Sequence, residues 1–172
     1  MHPRFIVILV SIVSISISSF AQTSNFGTEF NLQTGPTLPD QIQGVTEILP
    51  TWGFFYKIPM AGAGLEFGLL DSHANGVDFT TLPIRGRFDI PIDSGFSALL
   101  FVGPEVNYYS EAGSSNRLTV VGFHAGAGAM YHIVETLWLR VDMKYSVNPG
   151  DSLYFGFGFS FRSAEGGGGG SN

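Results

Sequence analysis

Residues 137–146 alternate strictly between two kinds of side chain, and this alternation most limits the possible folds. Leucine, valine, methionine and tyrosine take every second position, and the positions between them include Arg140, Asp142 and Lys144. Successive side chains of a β-strand point to opposite faces, so the segment predicts a strand with one apolar and one charged face. Residues 153–161 repeat the pattern, with leucine and phenylalanine opposite tyrosine, glycine and serine. Such strands favour a wall that contacts lipid outside and encloses a crowded lumen.

Other segments alternate in the same way, so the chain contains about eight strand-like segments of a length suited to a tilted membrane strand. They are residues 25–34, 47–58, 63–70, 79–90, 96–108, 119–132, 137–146 and 153–161. The longer, polar connections are 35–46, 71–78, 109–118 and 147–152, and the short ones are 59–62, 91–95 and 133–136. We therefore predict an all-β fold, a transmembrane antiparallel up-and-down barrel with long loops at one end.

Charged residues within the predicted strands all fall on the face that also carries the glycines. Acids and bases are equal in number, which predicts pairing inside the barrel because an unpaired buried charge is costly. The opposite face has no charge, as contact with lipid requires. We predict a lumen charge network that consists of Glu29, Lys57, Glu66, Arg85, Arg87, Asp89, Glu105, Arg140, Asp142 and Lys144.

The beginning of the chain has the pattern of a secretory signal peptide. Arg4 precedes an apolar run, and Ser19-Phe20-Ala21 forms a small-x-small cleavage site. The apolar run is diluted by serines and is too short for a membrane-spanning helix. The predicted organisation is a signal peptide at 1–21, an outer-membrane β-barrel at 22–162 and a flexible glycine-rich tail at 163–172.

Charge and composition exclude several classes of protein. The formal net charge is −6, and loss of Arg4 with the leader makes it one unit more negative, which argues against binding to nucleic acid. There is no cysteine, so no disulfide framework is possible. Only 13% of residues are charged, against roughly 25% in ordinary soluble domains. The alternative, a soluble barrel with an aromatic ligand cavity, would need a more charged surface.

Several segments resemble the small outer-membrane β-barrel domain family, whose members include the OmpX/OmpA-like or "porin family" barrels. The resemblance rests on the glycine-rich hairpin formed by 121–131 and 137–145, and on the segments 82–88 and 101–105. It covers essentially the whole predicted mature chain. It implies insertion by the barrel-assembly machinery, which commonly reads a terminal aromatic residue. Here Phe161 is followed by eleven further residues, which departs from that pattern.

The candidates for chemistry are weak. Asp71-Ser72-His73 holds the residue types of a hydrolase, but a triad must converge in space, and a polar turn is the simpler interpretation. His124 is expected in the lumen and His132 near a turn, and two histidines without a third ligand rarely bind a metal. We therefore predict no catalytic residue, no cofactor, no metal site and no enzymatic activity.

About eight strands enclose room for side chains only, so the long lumen residues predict a packed plug. The outer loops are acidic, with Asp40, Glu47, Asp71, Asp78, Glu111 and Asp151 against Arg117. The acidic residues keep a cell-surface rim soluble, or they bind cations or basic partners. We expect a monomer in outer-membrane lipid with a structural or surface-contact role. A narrow porin for ions or small solutes is the alternative, and a lipid-modifying enzyme comes third.

Overall fold

The computed structural model describes residues 27–40, 48–60, 63–74, 76–111, 117–147 and 151–163. Within these ranges the chain forms a closed barrel of eight strands in sequential order. The strands are β1 (Glu29–Asp40), β2 (Leu49–Met60), β3 (Ala63–Ala74), β4 (Val77–Pro91), β5 (Phe96–Glu111), β6 (Arg117–Val134), β7 (Leu137–Val147) and β8 (Asp151–Arg162). The predicted fold class is therefore confirmed. The predicted signal peptide lies outside the described residues.

Every strand pairs in antiparallel fashion with its neighbours in sequence, and β8 pairs with β1 to close the barrel. Closure gives every strand two hydrogen-bonding neighbours and leaves no open sheet edge. No helix within the described ranges is long and apolar enough to cross a membrane.

The two faces of the wall are those that the alternation predicts. Arg140 is completely buried in the lumen, whereas the next residue, Val141, is 46% exposed on the outside. The exposed large apolar side chains form a belt on the outer face that includes Trp52, Phe67, Ile84, Leu100, Phe123, Met143, Phe157 and Phe159. The centre of the molecule is polar and charged, and apolar clusters are confined to parts of the lumen.

Two prolines inside strands interrupt the ladders locally without shifting the register. The β4–β5 pairing is the same before and after Pro83 and Pro104, as Leu82 pairs with Val106 and Gly86 with Val102. This agrees with the unchanged apolar parity of the sequence on either side of each proline. The register shift in the β6–β7 ladder lies between His132 and Val134, next to the turn at 135–136.

The strands extend further than predicted at the end of the barrel where the longer loops were expected. Residues 71–78 were expected as a polar loop, but β3 continues to Ala74 and β4 begins at Val77. Gly76 takes a positive φ of 84° in the connection, a conformation that glycine adopts at little cost. The expectation was wrong because polar residues are compatible with a strand that protrudes beyond an apolar belt.

Candidate functional site

The lumen is the candidate functional site, and its two halves differ. We call the half next to the chain termini and the connections at 61–62, 92–95 and 135–136 the termini half, and the other the loop half. The charged side chains of the termini half belong to alternate positions of β1, β2, β3, β4, β7 and β8. Gly128 makes room for one of them, since a Cβ atom added there would clash with Asp142 Oδ1.

Arg87 of β4 lies at the centre of the termini half and contacts three carboxylates. Its guanidinium donates to Glu29 over 2.6 and 2.8 Å, to Asp89 over 2.6 and 3.0 Å, and to Glu66 over 2.6 Å. The planar fork of arginine suits such bidentate bonds, which are stronger than bonds between neutral groups. The positive charge of Arg87 is therefore compensated by carboxylates in the lumen.

Arg140 of β7 connects the carboxylates of three other strand positions. It donates to Asp142 over 2.7 and 3.0 Å, to Glu66 over 2.9 and 3.2 Å, and to Glu29 over 3.3 Å. Glu66 and Glu29 thus bridge Arg140 and Arg87, so the pairs form one continuous network. Removal of any member leaves buried partners without their counter-charge.

Arg85 extends the network towards the loop half and lies between two aromatic rings. It forms an ion pair with Glu66 and donates to Asp142 Oδ2 over 3.2 Å. Its guanidinium carbon lies 4.2 Å from the ring centroid of Phe55 and 3.9 Å from that of Phe101. Cation–π contacts of this kind contribute more when they are shielded from water.

The outermost layer of the termini half contains Lys57, Asp89 and Arg162. Lys57 Nζ lies 2.6 Å from Asp89 Oδ2, and Arg162 donates to Glu29 over 2.9 Å and to Asp89 over 3.1 Å. The guanidinium of Arg162 also lies 4.5 Å from the ring of Trp138. Arg162 was not among the predicted lumen residues, because the last predicted strand ended at Phe161. The inward parity of Ser160 pointed to it.

Lys144 and Glu105 form the charged pair closest to the loop half, with Lys144 Nζ 2.9 Å from Glu105 Oε2. His124 faces the same carboxylate, and its Nδ1 lies 3.2 Å from Glu105 Oε2. His124 therefore lies in the lumen, as expected from its position in β6.

Beyond this pair, the described side chains that face the lumen in the loop half are neutral. Thr51 hydroxyl lies 2.7 Å from the hydroxyls of both Thr37 and Ser72, and Thr81 donates to Asn107 Oδ1 over 2.8 Å. Beyond them, Leu49 and Phe79 pack together with Val77 and Tyr109. We call these last four residues the apolar cap. It lies at the loop end of the barrel and consists of side chains that water does not solvate well.

The structure brings all ten residues of the sequence-predicted set to the lumen, and each contacts an oppositely charged neighbour. Eight of them join Arg162 in one network, and the other two, Lys144 and Glu105, form a separate pair beside it. The sequence did not specify partners, because the contacts cross the barrel between strands that are distant in sequence.

Asp71, Ser72 and His73 do not converge into a catalytic triad. The Ser72 hydroxyl is buried in the lumen against Thr51, whereas His73 lies exposed on the outer face of the β3–β4 hairpin. The prediction of a polar turn at these positions is also wrong, because all three residues belong to β3. Within the described ranges no cluster of histidine, cysteine and acidic residues can hold a metal ion.

His73 instead links the two strands of the hairpin. Its Nε2 lies 2.6 Å from Asp71 and its Nδ1 lies 2.7 Å from Asp78. These hydrogen bonds to Asp78 and Asp71 raise the pKa of His73 above its usual value. A carboxylate only accepts hydrogen bonds, so both bonds form together when the ring is protonated on both nitrogens.

The acidic residues expected in outer loops lie mainly in the loop-end parts of strands. Asp40, Asp71, Asp78, Glu111 and Asp151 belong to strands, as does Arg117. Glu47 lies outside the described residues. Asp151 accepts a hydrogen bond from the Tyr145 hydroxyl. The acidic rim is thus built on regular strands.

The chain matches no protein-family model and no curated protein. It does resemble solved structures. Neisserial surface protein A is 13% identical with a TM-score of 0.65, over 81% of this chain and 98% of that one. The N-terminal β-barrel domain of Pseudomonas aeruginosa OprF is 12% identical with a TM-score of 0.62, over 80% and 99%. Ail of Yersinia pestis is 12% identical with a TM-score of 0.56, over 79% and 96%. The chain shares the fold of these small outer-membrane barrels.

Proposed function

We propose that the protein is an integral outer-membrane barrel whose lumen is closed and which presents the loop-end hairpins at the cell surface. It acts as a structural or surface-contact protein rather than as an enzyme. The observation that carries this proposal is the continuous lumen network, in which Arg87 and Arg140 each contact three carboxylates. Ions crossing such a lumen would have to separate several buried charge pairs, which is unfavourable.

The outer face supports the membrane part of the proposal. The belt is exposed and apolar, and a soluble protein rarely exposes a contiguous apolar patch of comparable extent. Tyrosine and tryptophan occur towards both ends of the belt, with Trp52 and Tyr145 towards the loop end and Tyr131 towards the termini end. These side chains favour the membrane–water interface.

Closure and membrane insertion are tested separately on the wild-type protein. We expect the folded chain to stay in the membrane fraction after alkaline carbonate washing, because its apolar belt is solvated only by lipid. We expect little or no conductance when the protein is reconstituted in planar bilayers. A large, steady conductance would favour the narrow porin instead, and release by carbonate would overturn the membrane assignment.

The orientation of the wall is tested by two substitutions at one outward position. Val141→Arg is expected to impair folding into liposomes by roughly 2–4 kcal/mol if residue 141 lies near the bilayer midplane. Val141→Phe keeps the position apolar and serves as the matched control, and it should fold like the wild type. Equal folding of the two variants would contradict the lipid-facing assignment and support the soluble cavity.

A further inference from the structure

The outer face of the barrel has a pocket of about 270 Å³ at the loop end of β3, β4 and β5. The residues that line it are His73, Asp78, Thr80, Tyr108, Tyr109 and Ser110. Small ligands bind in concave sites where a few polar groups converge. This pocket combines a carboxylate, two aliphatic hydroxyls and aromatic rings, and none of these groups belongs to the lumen charge network.

The strand register places the outward side chains of this region in two rows. The row nearer the apolar belt consists of Trp52, Asp71, Thr80 and Tyr108, and the next row consists of His73, Asp78 and Ser110. Tryptophan and tyrosine favour the membrane–water interface. In the inserted barrel, the pocket therefore lies at the level of the lipid headgroups.

The charges at the pocket favour a cationic ligand. Asp71 and Asp78 are both acidic, and His73, which bonds to both of them, carries at most one positive charge. The Asp78 side chain is 62% exposed, and a carboxylate has about four acceptor positions, so it can accept a further donor. Arg117 of β6 is opposite Ser110 in the ladder but does not line the pocket. The carboxylates therefore exceed the positive charge at the pocket.

The hydrogen-bonding groups suit a primary ammonium group in particular. Such a group has three N–H donors and no acceptor. The acceptors at the pocket are the Asp78 carboxylate and the hydroxyl oxygens of Thr80 and Ser110. Thr80 donates its own proton to Asp71 Oδ1 over 2.7 Å, which leaves its oxygen lone pairs to accept. The Tyr108 ring, with the residue 39% exposed, offers an aromatic face that attracts a cation.

We propose that the pocket binds a primary ammonium group, which donates hydrogen bonds to Asp78, Thr80 and Ser110 and contacts the ring of Tyr108. This deepens the proposed surface-contact role and rests on it, because it names the chemistry that the loop end contacts. The ammonium group belongs either to the headgroup of an aminolipid or to a small soluble amine.

The test compares the full folded chain in nanodiscs of phosphatidylcholine with the same chain in nanodiscs that contain phosphatidylethanolamine. The two headgroups have the same net charge, but only the second has N–H donors. Ethanolamine is added to the phosphatidylcholine nanodiscs as the soluble amine. The NMR signals of the His73 and Tyr108 side chains report on the pocket. A cation at Asp78 opposes protonation of His73, so binding should lower the pKa of His73.

We expect the Tyr108 ring signals to shift and the pKa of His73 to fall with phosphatidylethanolamine, with ethanolamine or with both. A response to the lipid alone identifies an aminolipid, and a response to ethanolamine alone identifies a soluble amine. A response to both shows that the pocket recognises the ammonium group itself. No response to either would overturn the site.

Three variants locate the binding. Asp78→Asn removes a carboxylate charge and should weaken the response several-fold, whereas Asp151→Asn makes the same charge change at the loop end outside the pocket and should have no effect. Tyr108→Leu keeps both carboxylates and should weaken binding, measured at His73, by roughly two- to fivefold, as expected for loss of one exposed cation–π contact. Equal effects of Asp78→Asn and Asp151→Asn would show that the amine responds to the general charge of the rim and would overturn the pocket.

The ethanolamine titration is repeated on the folded barrel in detergent micelles, where insertion into a bilayer has no influence on the result. Retention of the wild type in carbonate-washed membranes is measured separately. Failure of the membrane proposal is therefore distinguishable from failure of the ammonium site.

Discussion

The two halves of the lumen are packed by different interactions, although the same strands form both. In the termini half, arginine guanidinium groups form ion pairs with carboxylates from several strands, and these pairs make one network. In the loop half, hydroxyl pairs and the apolar cap fill the same cross-section. The comparison shows that charge pairing and neutral packing can both occupy the lumen of an eight-stranded barrel. The two modes differ in what a single substitution costs.

Arg140→Ala should produce the largest effect, because it removes a charge from the centre of the network. Glu66 and Asp142 each lose two hydrogen bonds. We expect a loss of about 3–5 kcal/mol in the free energy of unfolding, which is typical when one partner of a buried ion pair is removed. The freed volume should also admit ions. Urea unfolding in liposomes and planar-bilayer conductance are the measurements.

Lys144→Ala is the matched comparison, since Lys144 pairs with a single carboxylate, Glu105. It should cost less than Arg140→Ala and should leave conductance low, because the arginine network stays intact. If Arg140→Ala leaves both stability and conductance unchanged, the network does not close the lumen.

Leu49→Ala should have the second largest effect. It tests the contribution of apolar packing in the loop half. Leu49 is 1% exposed and packs against Phe79 in the apolar cap. Truncation of a buried leucine removes apolar contacts and leaves a cavity, so we expect a loss of about 2–4 kcal/mol. We expect no gain in conductance, because the termini half still closes the lumen. A conducting Leu49→Ala variant would show that the cap, rather than the charge network, is the barrier.

The sequence predicted the wall of the barrel better than its ends. Alternation assigns each side chain to a face from local information alone, so the faces of Arg140 and Val141 were predictable. The end of β3 was misplaced because the polar composition of 71–78 outweighed the Asn-Gly pair at 75–76, which is a strong hairpin signal. Arg162 was missed because the alternation was followed only to the last phenylalanine.

Ion-pair partners were beyond sequence analysis for a physical reason. Glu29 and Arg140 are far apart in sequence and meet because register and strand tilt together fix their heights in the barrel. Alternation predicts which face of the sheet a residue lies on, but not its position along the barrel axis. Balanced charge predicted that pairs exist, and only the three-dimensional arrangement specified which ones.

Thr51→Val should have a smaller effect than Leu49→Ala. It replaces a neutral hydroxyl group with a methyl group of similar size. Thr51 has partners at 2.7 Å in Thr37 and Ser72. We expect a loss of about 1–2 kcal/mol in the free energy of unfolding, since those two hydroxyls lose a buried neighbour. Thr119→Val, at an exposed position, should be close to neutral in the same urea titration. A cost equal to that of Arg140→Ala would remove the energetic difference between the halves.

The pH response of the β3–β4 hairpin should be the smallest effect, and it lies outside both lumen halves. Asp78 and Asp71 raise the pKa of His73, so the folded hairpin binds this proton more tightly than the unfolded chain. The stabilisation is therefore fully present below the unfolded-state pKa and is lost as the pH rises through the folded-state pKa. Because the His73 side chain is 58% exposed, solvent screening keeps the contribution small. Amide hydrogen exchange at Val77, which pairs with Ala74 in the ladder, should show weaker protection above that pKa after correction for intrinsic rates. His73→Gln should abolish the pH dependence at the hairpin and leave exchange at Arg140 unchanged. A pH-dependent change at Arg140 in the His73→Gln variant would instead assign the titration to the lumen.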